Sequence, residues 1–178
     1  MRFLVLVFVL LGLAACEDTF AVDRPNQFSK YIVPSATGYV SVPPDGQYEQ
    51  ITFPGSGQTV AYDVTEAFAR HMAKVVTGKA PQTFKAALES AKAAGARYLI
   101  APAILNWEDW NTEVSGRSDK MKMEISVIEV ATGKVIERAV LSGTNGIPEL
   151  GSTKPEQLIA TPLNQYVDSL FPQFAEQR

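Results

Sequence analysis

The chain has 178 residues, of which 16 are lysine or arginine and 19 are aspartate or glutamate, giving a formal net charge of −3. Basic residues form no run in the sequence. The electrostatic footprint of nucleic-acid binding is therefore missing, and we predict no nucleic-acid partner. The length suits one domain of about 150 residues with a sizeable core.

The N-terminal segment has the pattern of a secretory signal peptide. Arg2 supplies a positive charge, and an apolar run without charges follows over residues 3–15. This run is too short for a membrane-spanning helix, which needs about 20 apolar residues. Small residues at its end are typical of a cleavage site, so we predict a signal peptide over residues 1–15.

The end of this segment, Leu13-Ala14-Ala15-Cys16, resembles the lipobox of bacterial lipoproteins. The resemblance implies cleavage before Cys16 and acylation of its sulfur and amine, with palmitate as one expected acyl group. Cys16 is the only cysteine, so an exported chain would have no disulfide. Two or more acyl chains anchor a protein stably. We predict a membrane anchor at Cys16, the alternative being an ordinary signal peptide followed by a chance cysteine.

The residues after the cysteine bear on the destination of the protein. In bacterial lipoproteins they help to sort the inner from the outer membrane, and here they are Glu17 and Asp18. An aspartate directly after the lipidated cysteine most clearly marks retention in the inner membrane, and here that position holds Glu17. We therefore expect the periplasmic face of the outer membrane.

The first part of the mature chain predicts a tether, a strand and a helix. Residues 16–37 lack a sustained period and contain two prolines, which is typical of a tether after the lipidated cysteine. Residues 39–42 predict a strand that a Pro-Pro-Asp-Gly turn ends, and a loop follows over 47–57. From Gln58 onward, apolar residues recur every three or four positions and predict a helix. They are Val60, Val64, Phe68, Met72 and Val75.

A second helix is expected between Pro81, which suits a first helical turn, and Gly95, which suits a C-terminal cap. The apolar run at 97–105 then predicts a buried strand. Pro102 in this run indicates a bulge or the loss of a partner strand at that point.

Alternating apolar and polar residues at 121–127 predict a half-exposed antiparallel strand. A tight turn at 131–134 leads to a partner strand at 135–141. The last predicted element is a helix at 162–171. Its Pro162 either starts the helix or kinks a longer one that begins near Pro155.

The resulting element order is β-α-β-α-β-β-β-α. It predicts an α/β (α+β) fold, in which helices cover one mixed sheet in a single domain. We place this globular domain at residues 38–172 and a short tail at 173–178.

The sequence is poor in catalytic groups. His71 is the only histidine, so any Ser-His-Asp triad or Cys-His pair would have to use it. Its position beside Met72 in the first helix favours a place at the flank of the buried stripe or in solvent. A zinc site needs three or four suitable ligands. We predict no catalytic residue, no metal site and no cofactor.

The stretch Gly55-Ser56-Gly57 precedes the first helix. Its amides could hold an anion at the helix N-terminus, but the sequence has neither a P-loop nor a dinucleotide-binding motif. The alternative interpretation is a flexible turn that caps the helix.

The segment 106–119, NWEDWNTEVSGRSD, holds both tryptophans of the chain. On a strand, Trp107 and Trp110 would point to opposite faces, so one is expected to pack against the sheet while the other lies at a surface or helix contact. A glycosidase needs two carboxylates about 5–9.5 Å apart, and the segment offers Glu108, Asp109, Glu113 and Asp119. The alternatives are a glycosidase, a carbohydrate- or peptidoglycan-binding site, and a structural hairpin.

Several stretches resemble a family of proteobacterial lipoproteins of unknown function. Besides the lipobox they are YVSVPPDGQYEQITFPGSGQ, AFARHM, AGARYLIAPAILNWEDW, SGRSDKMKMEISVIEVATGKVI and PLNQYVDSLF. The resemblance implies an envelope lipoprotein and supplies no active-site residue. The element order is also similar to that of three periplasmic domains. These belong to the curli-secretion channel lipoprotein, the lipoprotein activator of a penicillin-binding protein, and the amino-terminal part of the Tol propeller protein.

From these features we favour a non-enzymatic, membrane-tethered periplasmic module that binds or regulates an envelope partner, either an unknown protein or peptidoglycan. We expect its contact surface in the 107–119 hairpin and the 43–57 loop. The candidate contact residues are Trp107, Glu108, Trp110, Glu113 and Arg117. The alternatives are a peptidoglycan-active enzyme and an oligomeric secretion or assembly component.

Overall fold

A computed structural model describes residues 18–25, 31–110, 117–145 and 154–171. The strands are β1 (Thr19–Asp23), β2 (Thr37–Val42), β3 (Gln47–Tyr48), β4 (Ile51–Thr52), β5 (Lys74–Pro81), β6 (Tyr98–Glu108), β7 (Lys120–Glu129) and β8 (Lys134–Thr144). The helices are α1 (Ser56–Ala69), α2 (Phe84–Ala93) and α3 (Pro155–Asp168). The predicted signal peptide, Cys16, Glu113 and the tail lie outside the described residues.

Six of the strands form one mixed sheet with the order β1-β8-β7-β6-β2-β5, and β3 and β4 form a separate two-stranded ribbon. Strands β5, β2 and β6 run parallel, because helices α1 and α2 provide the crossovers between them. Strands β6, β7, β8 and β1 are antiparallel neighbours. The predicted α/β fold is confirmed, and so is the predicted order of sheet strands and helices from β2 to α3. The ribbon was not predicted, since β3 and β4 lie in the predicted loop 47–57.

The helices cover the two faces of the sheet unequally. Helices α1 and α3 enclose the larger core on one face, where Phe68 and Tyr166 are among the largest buried side chains. Helix α2 covers a smaller cluster on the other face, around Ala91 and Leu99. Gly143 permits the close approach of α3 to β8, because a side chain at this position would collide with the backbone of Leu158.

Part of the segment predicted to be a tether belongs to the sheet. Strand β1 pairs with β8 in antiparallel register, so that Val22 lies opposite Leu141. Further along, Ile32 is 1 % exposed, and its N–H donates to the carbonyl of Leu170 at 3.0 Å. The tether prediction is therefore wrong for these residues. A short edge strand gives no period in the sequence, and its partner is far away along the chain.

The first helix and its boundary with the next strand also differ from the prediction. Helix α1 ends at Ala69. The last two residues of the predicted apolar pattern therefore lie beyond the helix. Met72 is buried beyond the helix, and Val75 lies in β5. The next boundary differs as well, because Pro81 ends β5 and does not start α2. As an edge-strand residue it needs no N–H.

Helix α2 begins after Thr83, whose Oγ1 accepts from the N–H of Ala86 at 3.3 Å. This cap fixes the start that the sequence pattern assigned to Pro81. The predicted end is confirmed, since Gly95 follows the helix with a φ of 67°. Phe84, the first residue of α2, is 54 % exposed.

Pro102 and Pro162 occupy the predicted kinds of position. Strand β6 pairs with β2 only as far as Ile100, so Pro102 lies where one partner strand ends. Pro162 lies inside α3, which begins at Pro155, as in the longer of the two helices considered from the sequence. No helix within the described ranges is long and apolar enough to cross a membrane.

Candidate functional site

The segment with the two tryptophans lies where β6 ends. Trp107 is the penultimate residue of β6 and packs in the larger core, with its ring centroid 6.3 Å from that of Phe53. Gly46 lies against it so closely that a Cβ there would be 2.8 Å from the Trp107 Cβ. Because β6 ends at Glu108, strand alternation does not extend to Trp110, which is half-buried at the rim.

Trp110 is the centre of an aromatic and cationic contact. The ring of Tyr48 meets it edge-on, with centroids 5.3 Å apart and an interplanar angle of 80°. The guanidinium carbon of Arg117 lies 4.0 Å from the centroid of the Trp110 ring, which is a cation–π geometry. Tyr48 belongs to β3, so the ribbon and the 107–119 segment meet here. We call Tyr48, Glu108, Trp110, Arg117 and Asp119 the rim cluster.

Glu108 holds the indole of Trp110 from the strand side. Its Oε2 accepts from Trp110 Nε1 at 3.2 Å, and its Oε1 accepts from Asn106 Nδ2 at 2.9 Å. Burial raises the pKa of Glu108, but these hydrogen bonds and the charges of Lys120 and Arg117 outweigh it, so the pKa lies below its ordinary value. A glycosidase general acid needs a raised pKa. Glu108 is therefore unsuited to that role.

Asp119 holds the backbone of Trp110 from the other side. Its Oδ1 accepts from the Trp110 N–H at 2.6 Å, and its Oδ2 accepts from Asn145 Nδ2 at 3.3 Å. Asp119 is fully buried, and its carboxylate connects the backbone of Trp110 to the side chain of Asn145. Of the carboxylates considered for a glycosidase, Glu108 and Asp119 are thus occupied in holding Trp110. Asp109 is exposed.

The glycine stretch before α1 is capped by the chain itself. The N–H of Gly57 donates to Asp45 Oδ1 at 2.9 Å, so a carboxylate of the protein already occupies the helix N-terminus. Ser56 Oγ accepts from the N–H of Gly46 at 2.7 Å and donates to the carbonyl of Phe53 at 2.7 Å. These contacts exclude the anion-binding interpretation and fix the loop that carries the ribbon.

His71 joins the ends of two helices. Its Nε2 lies 2.8 Å from Asp168 Oδ1, and its ring stacks on Phe171 with centroids 4.7 Å apart. Its side chain is 7 % exposed, so the solvated alternative is wrong and the histidine is part of the packing. Within the described residues, no group of three or more histidine, cysteine, aspartate or glutamate side chains could hold a metal ion.

The structure brings together three of the predicted contact residues, Glu108, Trp110 and Arg117, and places Trp107 in the core. The sequence did not identify Tyr48 as a partner of Trp110. The only signal was that both lie in segments expected to form one surface. Ile51, opposite Tyr48 in the ribbon and 53 % exposed, extends this surface with an apolar side chain.

Comparison with known proteins assigns a family. The family described as "Domain of unknown function (DUF4823)" matches residues 31–170, and the chain belongs to it. This confirms the resemblance to a family of unknown function. The matched region begins inside the predicted tether, in agreement with the burial of Ile32. No curated protein matches the chain.

Solved structures resemble this chain at low sequence identity. The PelC dodecamer from Paraburkholderia phytofirmans is 18 % identical with a TM-score of 0.57, and the match covers 82 % of this chain and 96 % of that one. Lipoprotein GNA1162 from Neisseria meningitidis is 12 % identical with a TM-score of 0.47, covering 80 % and 99 % of the two chains. The LpoB C-terminal domain from Escherichia coli is 15 % identical with a TM-score of 0.38, covering 65 % and 84 %. The likeness to PelC concerns the fold alone.

Proposed function

We propose that this protein is a lipid-anchored component of the bacterial envelope whose rim cluster binds a partner protein without catalysing a reaction. The observation that carries the proposal is the contact of Tyr48, Trp110 and Arg117. Tyrosine, tryptophan and arginine are the residues that most often dominate binding energy at protein interfaces. Here they lie together at one rim of the sheet.

The rim cluster is held in place before any partner arrives. Two carboxylates fix Trp110, one at its indole nitrogen and one at its backbone N–H. Side chains that are already ordered lose less conformational entropy on binding. The exposed Ile51 beside Tyr48 adds apolar area to the same surface. This combination favours binding over structural support alone.

The geometry favours a protein over peptidoglycan as the partner. A sugar ring stacks on an indole face, and Arg117 lies 4.0 Å above the ring of Trp110. One face of the indole is thus covered by a cation. An aromatic ring with an adjacent guanidinium suits the mixed apolar and polar groups of a protein surface.

Site-specific photo-crosslinking tests this surface in intact cells. A photoreactive amino acid at Ile51 of the full chain is expected to give a protein adduct of defined mass. Trp110→Ala should reduce this adduct at least fivefold, whereas Phe84→Ala, at an exposed aromatic on α2, should leave it unchanged. An adduct that muramidase digestion removes would assign the surface to peptidoglycan instead. No adduct above that from position 92, which is exposed on α2, would contradict the proposal.

The anchor is tested separately. Radiolabelled palmitate is expected to enter the wild-type chain and not Cys16→Ser, and only the wild type should sediment with membranes. Density separation of the two membranes is expected to place it in the outer membrane fraction. Equal labelling of both proteins would show that Cys16 is not the site of acylation.

The non-enzymatic character of the protein is a further part of the proposal, and the hydrogen bonds by which Glu108 and Asp119 hold Trp110 support it. Purified peptidoglycan incubated with the protein should release no fragments. Fragments that appear with the wild type and disappear with Glu108→Gln would instead establish a carbohydrate-active enzyme.

A further inference from the structure

We infer that copies of this chain associate edge to edge, with β1 of one copy pairing with β5 of the next. The two strands are the outer members of the six-stranded sheet, so within the described residues each has one strand neighbour. An edge strand presents unpaired N–H and C=O groups to any second strand of suitable register. This contact is separate from the rim cluster and does not depend on the proposed partner.

The direction of the strands permits a continuous sheet. Strand β5 is parallel to β2 and β6, whereas β7, β8 and β1 each reverse the direction of the preceding neighbour. Strand β1 therefore runs opposite to β5. If the sheet of one copy continues into the next, β1 and β5 meet as an antiparallel pair, whose hydrogen bonds are perpendicular to the strands.

One register matches the charges of the two edges. Asp23 ends β1 and Lys74 begins β5, and both are exposed. Opposite charges directly across an antiparallel pair are stabilising. With Asp23 opposite Lys74, the remaining cross-strand pairs are Val22 with Val75, Ala21 with Val76, and Phe20 with Thr77.

The same register matches the faces of the sheet. Val22 lies opposite Leu141 in β8 and is therefore on the face that α1 and α3 cover. Val75 packs against the larger core, and the Oγ1 of Thr77 lies 2.8 Å from that of Thr65 in α1. Both strands thus present these residues on one face. A shift of one residue would break this agreement, because it turns every side chain to the other face.

The pairing would cover apolar side chains that β1 now exposes. Phe20 is 39 % exposed and Val22 is 36 % exposed, and the register brings them beside Thr77 and Val75. Pairs of aromatic and β-branched residues across two strands stabilise a sheet pair. The covered area would be continuous with the larger core of each copy.

A second pair of opposite charges meets in the same register. Asp18 precedes β1, and Lys79 is exposed on β5, so the register also brings these opposite charges to one end of the contact. Asp18 has an interaction of its own within the chain, and β5 departs from regular pairing after Thr77. The proposal therefore depends on Asp23 and Lys74.

A second copy is the occupant that fits, because each edge complements the other in direction, charge and face. A contact between two different surfaces of the same chain is head-to-tail and produces a ring or an open filament. In a ring, rotation about one axis places every β1 at the same level. That arrangement would let all copies attach to one membrane through the segment that precedes β1.

Cysteine cross-linking in cells tests the register in the full chain. Two differently tagged copies, one with Asp23→Cys and the other with Lys74→Cys, are expected to form a mixed disulfide dimer, because directly opposed residues lie within disulfide distance. Asp23→Cys combined with Lys92→Cys, at an exposed position on α2, is the matched control. The wild type with Cys16 alone gives the background. Mixed dimer no more abundant than in this control would overturn the register.

Charge exchange tests the contact without introducing a thiol. Wild-type protein in mild detergent is expected to sediment as an oligomer, and Asp23→Lys or Lys74→Asp alone should reduce the oligomer at least fivefold. The combined exchange restores opposite charges and should recover it. Because both positions are exposed, unchanged thermal unfolding would separate this effect from misfolding. A monomeric wild type, with Lys74 and Lys79 only protecting an edge, would overturn the inference.

Discussion

Glu137 and Glu108 both have cationic partners but differ in what surrounds them. Glu137 in β8 is fully buried, and its Oε1 lies 3.0 Å from Nη2 of Arg24. Its Oε2 has no hydrogen-bond partner in the described part of the chain, nor does the hydroxyl of Tyr166. Glu108 at the end of β6 lies 3.8 Å from Lys120, and both of its carboxylate oxygens accept hydrogen bonds.

The difference shows how burial decides what an ion pair does. Arg24 joins parts of the chain that are far apart, because it reaches Glu137 and also donates to Ser169 Oγ at 3.1 Å. Burial and the charge of Glu137 raise the pKa of Tyr166, while Arg24 opposes this shift. Loss of one partner would leave a charge in the core. The partners of Glu108 lie within its own hairpin, so this carboxylate shapes a surface.

Removing the cation of the buried pair should have the largest effect. Arg24→Met is expected to lower the free energy of unfolding by about 3–5 kcal/mol, because it leaves Glu137 buried without a counter-charge. Urea unfolding followed by tryptophan fluorescence measures this change. The double variant Arg24→Met with Glu137→Leu should recover most of the loss. A cost below about 1 kcal/mol for the single variant would show that the pair does not hold β1 to the core.

Removing the charge of Glu108 at the rim should lower the free energy of unfolding by less, and this effect should depend on pH. Glu108→Gln is expected to cost about 1–1.5 kcal/mol, since an amide cannot accept both hydrogen bonds that the carboxylate accepts. The folded-state pKa of Glu108 is lowered from 4.5, so its contribution is present above that pH and is lost as the pH falls through the folded-state pKa. Urea unfolding at a series of pH values from 7 downward should show a difference that becomes smaller once the pH falls below 4.5. A difference that grows as the pH falls would contradict this account.

The sequence predicted the parts of the fold that local patterns determine. Alternation identified β7, the proline and glycine signals located several boundaries, and the order of sheet strands and helices from β2 to α3 was correct, apart from the ribbon. Strand β1 was missed because its register with β8 depends on residues more than a hundred positions away. The start of α2 was misplaced because a side-chain cap at Thr83 outweighed the preference of Pro81 for a helix start.

The candidate site was predictable only as two separate segments. Composition drew attention to Trp110 and its neighbouring carboxylates, and the turn signals drew attention to the loop before α1. Their meeting at Tyr48 depends on how Asp45 and Ser56 fix that loop over β6. The bond between Arg24 and Glu137 spans 113 residues and has no local signal at all. Long-range pairing is the common cause of both omissions.

A third carboxylate, Asp63 in α1, is a contrasting case, because the charges that shift its pKa in the described part of the chain are negative. Burial raises the pKa of Asp63 from 3.8 to about 6, and the negative charges of Glu66 and Glu156 add to the shift. The unfolded chain therefore loses this proton at a lower pH than the folded chain does. The stabilising contribution is complete below 3.8 and is lost as the pH rises through about 6.

Asp63→Asn should therefore stabilise the protein at neutral pH, with the smallest of the three effects. Because the side chain is partly exposed and screened by solvent, we expect a gain below about 1 kcal/mol at pH 7 and no difference at about pH 3.5. Glu66→Gln is the matched control, since it removes a neighbouring charge and should give a smaller gain. Urea unfolding across this pH range measures both variants. A loss of stability in Asp63→Asn at pH 7 would mean that the charged form of Asp63 has a compensating partner after all, as Glu108 and Glu137 have.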